Sequence, residues 1–268
     1  MNPVVQYYEQ YNEEARLTTD NSRRLEFITT THLMDKYIPD NAKLLDLGAG
    51  TGIYSFYFAG KGCQVTSTDL TPKHVEMIRA RIAKDGIANM VAEMADATDL
   101  SPYADESFDA VLCLGPMYHL TDRTAQLNCL RECKRVLRPG GVVGIAYVNR
   151  LFIYPHLVRM DPRYLTREWM ERILEKGEIS ASASDCFWTD AYFHLPEEME
   201  ALCGECGIIP LEHAATDGIS MYIRQTVNGF TPEEFALWVD YHLQTCTAPS
   251  VLGASNHGLF IGQKPLSE

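Results

Sequence analysis

A run of small residues between an apolar segment and a helical pattern is the stretch of this sequence best suited to hold a ligand. Leu44-Leu45-Asp46-Leu47 is typical of a short buried strand, and Gly48-Ala49-Gly50-Thr51-Gly52 follows it directly. Glycine permits a tight turn and leaves main-chain N–H groups accessible. A helix N-terminus beside such a turn attracts polar or anionic ligand groups. The pattern predicts a nucleotide-type binding loop.

Alternating strands and helices must position this loop. The predicted strands cover about residues 43–47, 64–68, 90–94, 108–114 and 142–148, and the predicted helices about 52–60, 71–86 and 121–137. Thr71-Pro72 and Gly86 carry the residue types that begin and end a helix. Alternation of this length predicts a parallel sheet with right-handed crossovers.

Less regular segments lie on both sides of this core. Helices over residues 3–16 and 22–37 form an N-terminal arm, residues 1–40, that is able to fold over the glycine loop. The second half contains helices that begin at Pro196 and Pro232. It also contains a strand over residues 208–213 and a closing strand over 257–263. No repeat or linker divides the chain, so we expect one domain, residues 1–268.

Composition limits the class of partner and the compartment. The net charge of −13, from 23 Lys plus Arg against 36 Asp plus Glu, disfavours a nucleic-acid partner. No apolar run approaches the roughly 20 residues of a membrane span, and the first residues do not resemble a signal peptide. The eight cysteines are scattered, which favours reduced thiols and a cytoplasmic protein.

A paired-cysteine motif raises the question of a metal. Cys203-Gly204-Glu205-Cys206 lacks a second Cys/His pair at zinc-finger spacing, and it ends an amphipathic helix. Cys129 and Cys133 lie inside another predicted helix. We predict structural thiols and no metal site.

The glycine spacing distinguishes two kinds of nucleotide ligand. The NAD fingerprint G-x-G-x-x-G needs a third glycine where this chain has Ile53. Here the third glycine is Gly52, one position earlier, and Asp46 precedes the loop. This spacing disfavours NAD.

Five elements, in order and at the right spacing, resemble the class I S-adenosylmethionine-dependent methyltransferases. The resemblance covers about residues 40–148 and is closest to the small-molecule branch related to quinone-biosynthesis enzymes. The elements are Asp46–Gly52, Asp69 after the second strand, Asp96-Ala97 after the third, Phe108-Asp109-Ala110-Val111 in the fourth, and Leu137-Arg138-Pro139-Gly140-Gly141 before the fifth. The resemblance implies an α/β fold. It would be a Rossmann-like doubly wound sheet, mostly parallel with an antiparallel final strand, with helices on both faces.

The same resemblance implies roles for the matching residues. The loop formed by Gly48, Ala49, Gly50 and Gly52 would approach the methionine and ribose parts of S-adenosylmethionine. Asp69 would accept hydrogen bonds from the ribose hydroxyls, since a carboxylate offers two acceptor oxygens. The base would be held by Leu70, Asp96 and Ala97, and the methionine amino group by the Leu114 carbonyl.

Structural roles compete with several of these assignments. Asp69 could instead cap the following helix, and Asp96 could be a turn residue that Asp99 replaces. Asp46 could order the glycine loop through backbone hydrogen bonds or contact the cofactor directly. The sequence leaves both interpretations of Asp46 open.

The loop after the fourth strand faces the chemistry in this family. Base-methylating relatives carry (Asn/Asp)-Pro-Pro-(Tyr/Phe) there, whereas this chain has Gly115-Pro116-Met117-Tyr118, which lacks the polar side chain. This difference disfavours nucleobase methylation. Tyr118 and His119 remain candidate acid–base or orienting groups, although a histidine beside a helix start is often structural.

Two long segments are expected to overhang the site. Residues 150–195 and 217–256 leave the carboxyl ends of two strands, where ligands bind in open α/β sheets. We predict that they form a lid over the acceptor. From the arm, Tyr7, Tyr8, Tyr11 and Arg16 are placed to close over the cofactor, and Tyr11 is the residue that we select.

The sequence thus predicts an enzyme that methylates a small-molecule acceptor by in-line displacement, converting S-adenosyl-L-methionine into S-adenosyl-L-homocysteine. An alternative is a catalytically silent cofactor-binding module that acts through a partner, because binding motifs do not certify chemistry. An aminopropyl transferase would need an acidic amine-binding motif after the fourth strand, which the Gly115-Pro116-Met117 loop does not supply.

Overall fold

The elements of the fold follow the predicted alternation closely. The computed structural model describes residues 2–14 and 16–266. The strands are β1 (Lys43–Leu47), β2 (Gln64–Asp69), β3 (Met90–Met94), β4 (Phe108–Cys113), β5 (Leu137–Val148), β6 (Glu178–Ile179), β7 (Ala191–Tyr192), β8 (Ile209–Ala215) and β9 (His257–Gln263). The helices are α1 (Pro3–Gln10), α2 (Asn21–Met34), α3 (Ile53–Gly60), α4 (Pro72–Asp85), α5 (Arg123–Val136), α6 (Arg150–Met160), α7 (Arg167–Glu171), α8 (Pro196–Glu205), α9 (Arg224–Asn228), α10 (Pro232–Thr245) and α11 (Pro249–Leu252).

A seven-stranded sheet carries the fold, in the order β3-β2-β1-β4-β5-β9-β8. The first five strands of this order are parallel, and β9 is antiparallel to both β5 and β8. The expected α/β fold, mostly parallel with an antiparallel final strand, is confirmed. Chain order reverses between β1 and β4, so their carboxyl ends form the crevice where such sheets bind ligands.

Both faces of the sheet are covered by helices. Alternate side chains of a strand point to opposite faces, and Leu44 and Leu45 accordingly belong to different buried clusters. Leu44 packs with Phe58 of α3, whereas Leu45 packs with Leu130 of α5 and with parts of α8. The near-continuous apolar character of β1 follows from burial on both sides.

The start of β5 differs from the prediction. The strand begins at Leu137, directly after α5, and not at Val142. Leu137 pairs with Phe108, the register then shifts, and Val142 pairs with Ala110. The Arg138–Gly141 segment is therefore a bulge within the sheet, and Gly140 supplies its left-handed backbone with a φ of 76°.

The N-terminal arm is also shorter in helix than predicted. α1 ends at Gln10, because Tyr11 has an extended backbone (φ −77°, ψ 142°). The predicted continuation to residue 16 is wrong over its described part, and Ala15 lies outside the described residues. α2 ends at Met34, so Tyr37 follows the helix instead of closing it. The extended piece between the two helices is what lies against the glycine loop.

The C-terminal helices return to the arm. Thr231 and Glu234 form the predicted capping box at the start of α10. Phe235 of α10 and Val227 of α9 pack on Leu25 of α2. Within residues 2–14 and 16–266, the helices are too short or too polar to cross a bilayer.

Candidate functional site

The glycine loop forms a compact turn at the carboxyl end of β1. Gly48, Gly50 and Gly52 all have positive φ, at 65°, 58° and 83°, which side-chain-bearing residues rarely adopt. The Gly50 N–H donates to Asp69 Oδ2 at 2.8 Å, and the Ala49 N–H donates to the Thr68 carbonyl at 2.9 Å. The end of β2 therefore holds the loop in place.

A cavity of about 270 Å³, the first cavity, opens beside this loop at the carboxyl ends of the parallel strands. Six of the predicted cofactor-binding residues line it: Gly48, Gly50, Asp69, Leu70, Asp96 and Ala97. The arm covers it through Asn2, Val4 and Tyr8. The structure thus brings most of the predicted residues to one place.

Asp69 is the central polar group of the first cavity. Its Oδ1 accepts the Thr71 N–H at 2.7 Å, so the carboxylate also holds the start of α4, as the structural alternative proposed. His74 lies beside it, with Nδ1 3.3 Å from Asp69 Oδ1 but without a hydrogen bond. Buried polar atoms almost always have partners. Both ring nitrogens of His74 are buried and lack a hydrogen-bond partner, which is unusual for such atoms.

The structure separates Asp96 from Asp99. Asp96 lines the first cavity and accepts the N–H and the hydroxyl of Thr98, at 2.9 and 2.7 Å. Asp99 is not among the lining residues; it accepts the Ser101 N–H in the same turn. Asp96 is therefore the better placed of the two carboxylates.

A small third cavity of about 50 Å³ also borders the glycine loop. It is lined by Asp46, Ala49 and Leu114, which are further predicted cofactor residues. Asp46 accepts the Ser55 hydroxyl at 2.6 Å, and burial, with the charge of Asp69, raises the pKa of Asp46 to about 7. This contact ties β1 to α3.

Two predicted cofactor residues lie elsewhere. Gly52 is not among the residues of these cavities; a Cβ there would meet Phe56 at 3.0 Å and Ile78 at 3.1 Å. Its role is to turn the backbone and to pack closely at the start of α3. Tyr11 lines the second cavity, described next, and its place over the first cavity is taken by Tyr8.

The second cavity has a volume of about 450 Å³ and lies between the arm and the two long segments. Segment 150–195 contributes Ile153, His156, Leu157, Met160, Tyr164, Phe187 and Trp188 to its lining. Segment 217–256 contributes Asp217, Met221, Arg224 and Asn256. Both segments predicted to overhang the site therefore line one space, whose walls carry aromatic, aliphatic and charged side chains.

A chain of charged groups runs along the second cavity. Arg16 binds Glu26 through two hydrogen bonds of 2.9 Å and binds Glu13 at 2.6 Å. Glu26 Oε2 lies 3.3 Å from His257 Nδ1, which lies 2.9 Å from Asp217 Oδ2. Burial opposes ionisation of Glu26, but Arg16 and His257 outweigh it and lower its pKa.

His119 links the arm to segment 150–195. Its Nδ1 lies 3.0 Å from the Asp190 carbonyl and its Nε2 3.0 Å from the Tyr8 hydroxyl. A carbonyl only accepts, so Nδ1 carries the proton and Nε2 accepts from Tyr8. Burial lowers the pKa of His119 to about 4, so the ring is neutral at physiological pH. Of the two roles predicted for His119, acid–base catalysis and orientation, this geometry suits orientation.

Tyr118 and Glu13 stand where the spaces meet, since each lines all three cavities. Burial raises the pKa of the Tyr118 hydroxyl, which therefore stays protonated. Burial also raises the pKa of Glu13, despite its contact with Arg16. Tyr118 shapes the junction as a neutral side chain, with its ring 5.8 Å from that of Trp188.

A further cluster of cysteines lies away from these cavities. The sulfur atoms of Cys113, Cys129 and Cys133 lie within 4.8 Å of one another, and all three residues are buried. They belong to the apolar layer between β4 and α5. All eight cysteines of the chain are free thiols.

Comparison with known proteins agrees with this geometry. A family model described as "Methyltransferase domain" matches residues 45–145. This range runs from within β1 to most of β5 and includes the glycine loop. Residues 45–145 therefore match a methyltransferase domain. The predicted resemblance is confirmed, and S-adenosylmethionine is the cofactor of this domain.

The similarity to named relatives extends over only part of each relative's length. A ubiquinone biosynthesis O-methyltransferase from Xanthomonas axonopodis pv. citri is 33% identical over 157 residues, 59% of this chain and 60% of that protein. Methyltransferase GfsG from Streptomyces halstedii is 39% identical over 106 residues, 39% of this chain and 37% of that protein. The chain therefore spans less than two thirds of either relative.

Solved structures share the fold over most of the chain. A SAM-dependent methyltransferase from Methanosarcina mazei matches with a TM-score of 0.60 and 17% identity, covering 88% of this chain and 98% of that one. At this identity the match shows the fold alone. The match covers more of the chain than residues 45–145.

The first cavity suits the cofactor of the methyltransferase domain. The Asp69 carboxylate at the end of β2 is an acceptor for paired hydroxyls, and the unpartnered His74 lies beside it. The glycine loop leaves main-chain groups of Gly48 and Gly50 at the cavity wall. The donor and acceptor set therefore fits a ligand with a ribose.

Several residues of the site were not predicted from the sequence. Glu13, Glu26, His74, Asp217 and His257 all line the cavities. For Glu13 there was a local signal, because Arg16 follows it three residues later at helical spacing. For Asp217 and His257 there was none, because the pairing of β8 with β9 brings them together across 40 residues.

Proposed function

We propose that this protein transfers the methyl group of S-adenosylmethionine to a small-molecule acceptor held in the second cavity. The single observation that carries the proposal is the junction: Tyr118 and Glu13 line the cofactor-sized first cavity, the second cavity and the small third cavity together. A donor in one space and an acceptor in the next would meet there, and such alignment is the main contribution a protein makes to this reaction.

The residues of the first cavity would hold the donor. Asp69 would accept the ribose hydroxyls, and Asp96 with Ala97 and Leu70 would hold the base. When bound, the cofactor supplies an activated methyl group on a sulfonium. The protein excludes water by closing the arm over the first cavity and segments 150–195 and 217–256 over the second.

The size and lining of the second cavity support a small acceptor. A volume of about 450 Å³ suits a compact organic molecule. The net charge of −13 disfavours a nucleic-acid acceptor, and we propose none. The name of the Xanthomonas relative, an O-methyltransferase of ubiquinone biosynthesis, supports an oxygen acceptor. We also propose a single domain and a cytoplasmic location, which the eight free thiols support.

Calorimetry with S-adenosylhomocysteine tests the cofactor site. We expect binding by the wild type and about 10–100-fold weaker binding by Asp69→Asn, because hydrogen bonds to a charged group contribute about 1.5–3 kcal/mol each. Asp99→Asn is the matched control: it changes a nearby carboxylate outside the lining residues, and binding should be unchanged. Thermal unfolding of both variants checks that the fold is retained.

Labelled methyl transfer to the small-molecule fraction of a cell extract tests the activity. Transfer by the wild type supports the proposal. Absence of S-adenosylhomocysteine binding would overturn the cofactor assignment, and binding without any transfer would favour a catalytically silent module.

A further inference from the structure

His257 presents one ring nitrogen to the second cavity. Its Nδ1 lies 2.9 Å from Asp217 Oδ2, 3.1 Å from Asn256 Nδ2 and 3.3 Å from Glu26 Oε2. The ring lines the cavity. Among residues 2–14 and 16–266, no group hydrogen-bonds to Nε2, and this atom keeps some exposed surface. Nε2 is therefore open to the cavity.

Asp217 fixes the tautomer of this ring. It is buried, and its Oδ1 accepts the Ser255 hydroxyl at 2.6 Å and the Asn256 N–H at 2.8 Å. Its other oxygen, Oδ2, is thereby aimed at His257 Nδ1. Two carboxylates, Asp217 and Glu26, face Nδ1; they keep the proton there and leave the lone pair on Nε2. The same arrangement orients the histidine of the Ser-His-Asp triad. The Asn256 amide nitrogen only donates, so it makes no hydrogen bond to this protonated nitrogen.

His119 and His156 do not offer such a lone pair. His119 already accepts the Tyr8 hydroxyl at Nε2. His156 lies 3.4 Å from the Arg159 guanidinium through Nδ1, which must accept, so its neutral form carries the proton on Nε2. Burial and the charge of Arg159 also lower the pKa of His156.

We propose that His257 is the general base of this methyltransferase and that the acceptor atom is an aromatic hydroxyl oxygen. This inference rests on the proposed function. The hydroxyl oxygen forms a bond to the methyl carbon while the bond from that carbon to sulfur breaks, and the electron pair of that bond stays on sulfur. The hydroxyl proton passes to His257 Nε2 and then to solvent. The products are a methyl ether, S-adenosylhomocysteine and one proton.

The need for a base identifies the acceptor atom. A neutral amine attacks with its own lone pair, and a thiol ionises near pH 8.5, whereas a phenol with a pKa of about 10 is almost fully protonated at neutral pH. A base positioned beside the acceptor therefore helps a phenol most. The rings of Tyr7, Tyr11, Tyr118, Tyr164, Phe187 and Trp188 line the same cavity and suit an aromatic acceptor.

The charged groups around His257 set the direction of its pH dependence. Burial lowers its pKa, Glu26 of α2 and Asp217 after β8 raise it, and Arg16 of the arm lowers it; the net effect is a pKa above the usual 6.5. The base is the neutral ring. The rate must therefore fall as the pH drops through this raised pKa, tenfold per unit, and level off above it.

Catechol, thiophenol and aniline are the probes for the test, because they share a ring and differ in the attacking atom. We expect the wild type to methylate catechol with the stated pH profile. His257→Gln should lower kcat by about 10²–10⁴-fold and remove the pH dependence, while binding of S-adenosylhomocysteine by calorimetry stays unchanged. His32→Gln, at an exposed position of α2, is the control and should match the wild type.

A second readout does not depend on turnover. Nitrogen NMR of the wild type should show His257 protonated at Nδ1 when neutral and titrating at Nε2 above pH 6.5. A proton on Nε2 in the neutral ring would overturn the inference. So would wild-type rates in His257→Gln, loss of the pH profile in His156→Gln instead, or transfer to aniline or thiophenol without catechol. Transfer to none of the probes or extract compounds would overturn the proposed function itself.

Discussion

At the scale of single residues, Asp46 shows how the binding loop is made at a cost in stability. The side chain is 1% exposed and accepts one hydroxyl, that of Ser55. Burial, with the charge of Asp69, raises its pKa to about 7. An acidic group buried in this way favours its protonated form, so the carboxylate of the sequence motif is destabilising at physiological pH.

The sign of the pH effect follows from linkage. Between its ordinary pKa of 3.8 and about 7, Asp46 keeps its proton in the folded protein and loses it in the unfolded chain. The free energy of unfolding therefore falls as the pH rises through this window. Asp46→Asn removes this effect. The free energy of unfolding of the variant minus that of the wild type should therefore rise with pH across the window, by up to about 4 kcal/mol.

Urea unfolding at a series of pH values measures this difference. Asp240→Asn changes an exposed carboxylate of α10 and should follow the wild type at every pH. A constant difference between Asp46→Asn and the wild type from acid to neutral pH would contradict the assignment of the raised pKa.

At the scale of elements, α1 is held over the first cavity by two side chains from the core. Lys73 of α4 donates to the carbonyls of Tyr8, Glu9 and Tyr11 at the C-terminal end of α1, at 3.4, 2.9 and 3.1 Å. This position also suits the helix dipole. His119 accepts the Tyr8 hydroxyl. The arm therefore has a small number of specific contacts that a ligand or a mutation is able to change.

Tyr8→Phe removes one of these contacts. We expect trypsin to cleave the arm at Arg16, Arg23 or Arg24 about fivefold faster, because a hydrogen bond contributes about 1 kcal/mol. S-adenosylhomocysteine should slow this cleavage, whereas it should protect segment 150–195, which does not line the first cavity, much less. Tyr241→Phe, at an exposed ring, is the control. Protection of segment 150–195 alone would contradict this division of roles.

At the scale of the whole molecule, the two ends of the chain close the site together. Leu25 of α2 is fully buried against Val227 and Phe235 of the C-terminal helices, and Asp20 pairs with Arg224 beside them. Glu26, the next residue of α2, contacts His257 of β9. The second cavity therefore depends on contacts between segments about 200 residues apart.

Leu25→Ala tests this dependence. We expect a loss of about 2–5 kcal/mol in the free energy of unfolding, because a buried leucine leaves both its transfer energy and a cavity behind. Leu237→Ala, at a side chain that is 70% exposed, should change it by less than about 0.5 kcal/mol. Urea unfolding followed by fluorescence and circular dichroism measures both. An unchanged midpoint for Leu25→Ala would show that the arm does not contribute to the folded core.

What the sequence could predict is local. The strands β1 to β4, the glycine loop and Asp69 carry their signals within a few residues, as apolar runs, turn glycines and a terminal carboxylate. The bulge at Arg138–Gly141 was missed, because a Pro-Gly-Gly run indicates a turn equally well. The pairing of Phe108 with Leu137 places this run within β5 instead.

The parts that could not be predicted depend on contacts between distant segments. Tyr8, and not Tyr11, covers the first cavity because α1 ends at Gln10 and the chain then extends. Asp217 and His257 meet only once β8 and β9 pair. No spacing along the sequence records such a pair, so the sequence could not predict that these two residues line the second cavity together.

The position of His119 has a consequence for the motion of the arm and of segment 150–195. One imidazole holds the arm through Nε2 and segment 150–195 through Nδ1, so a rotation of the ring breaks both contacts in the same motion. The arm over the first cavity and segment 150–195 beside the second are therefore coupled through a single side chain, and we expect both to loosen together when that side chain moves.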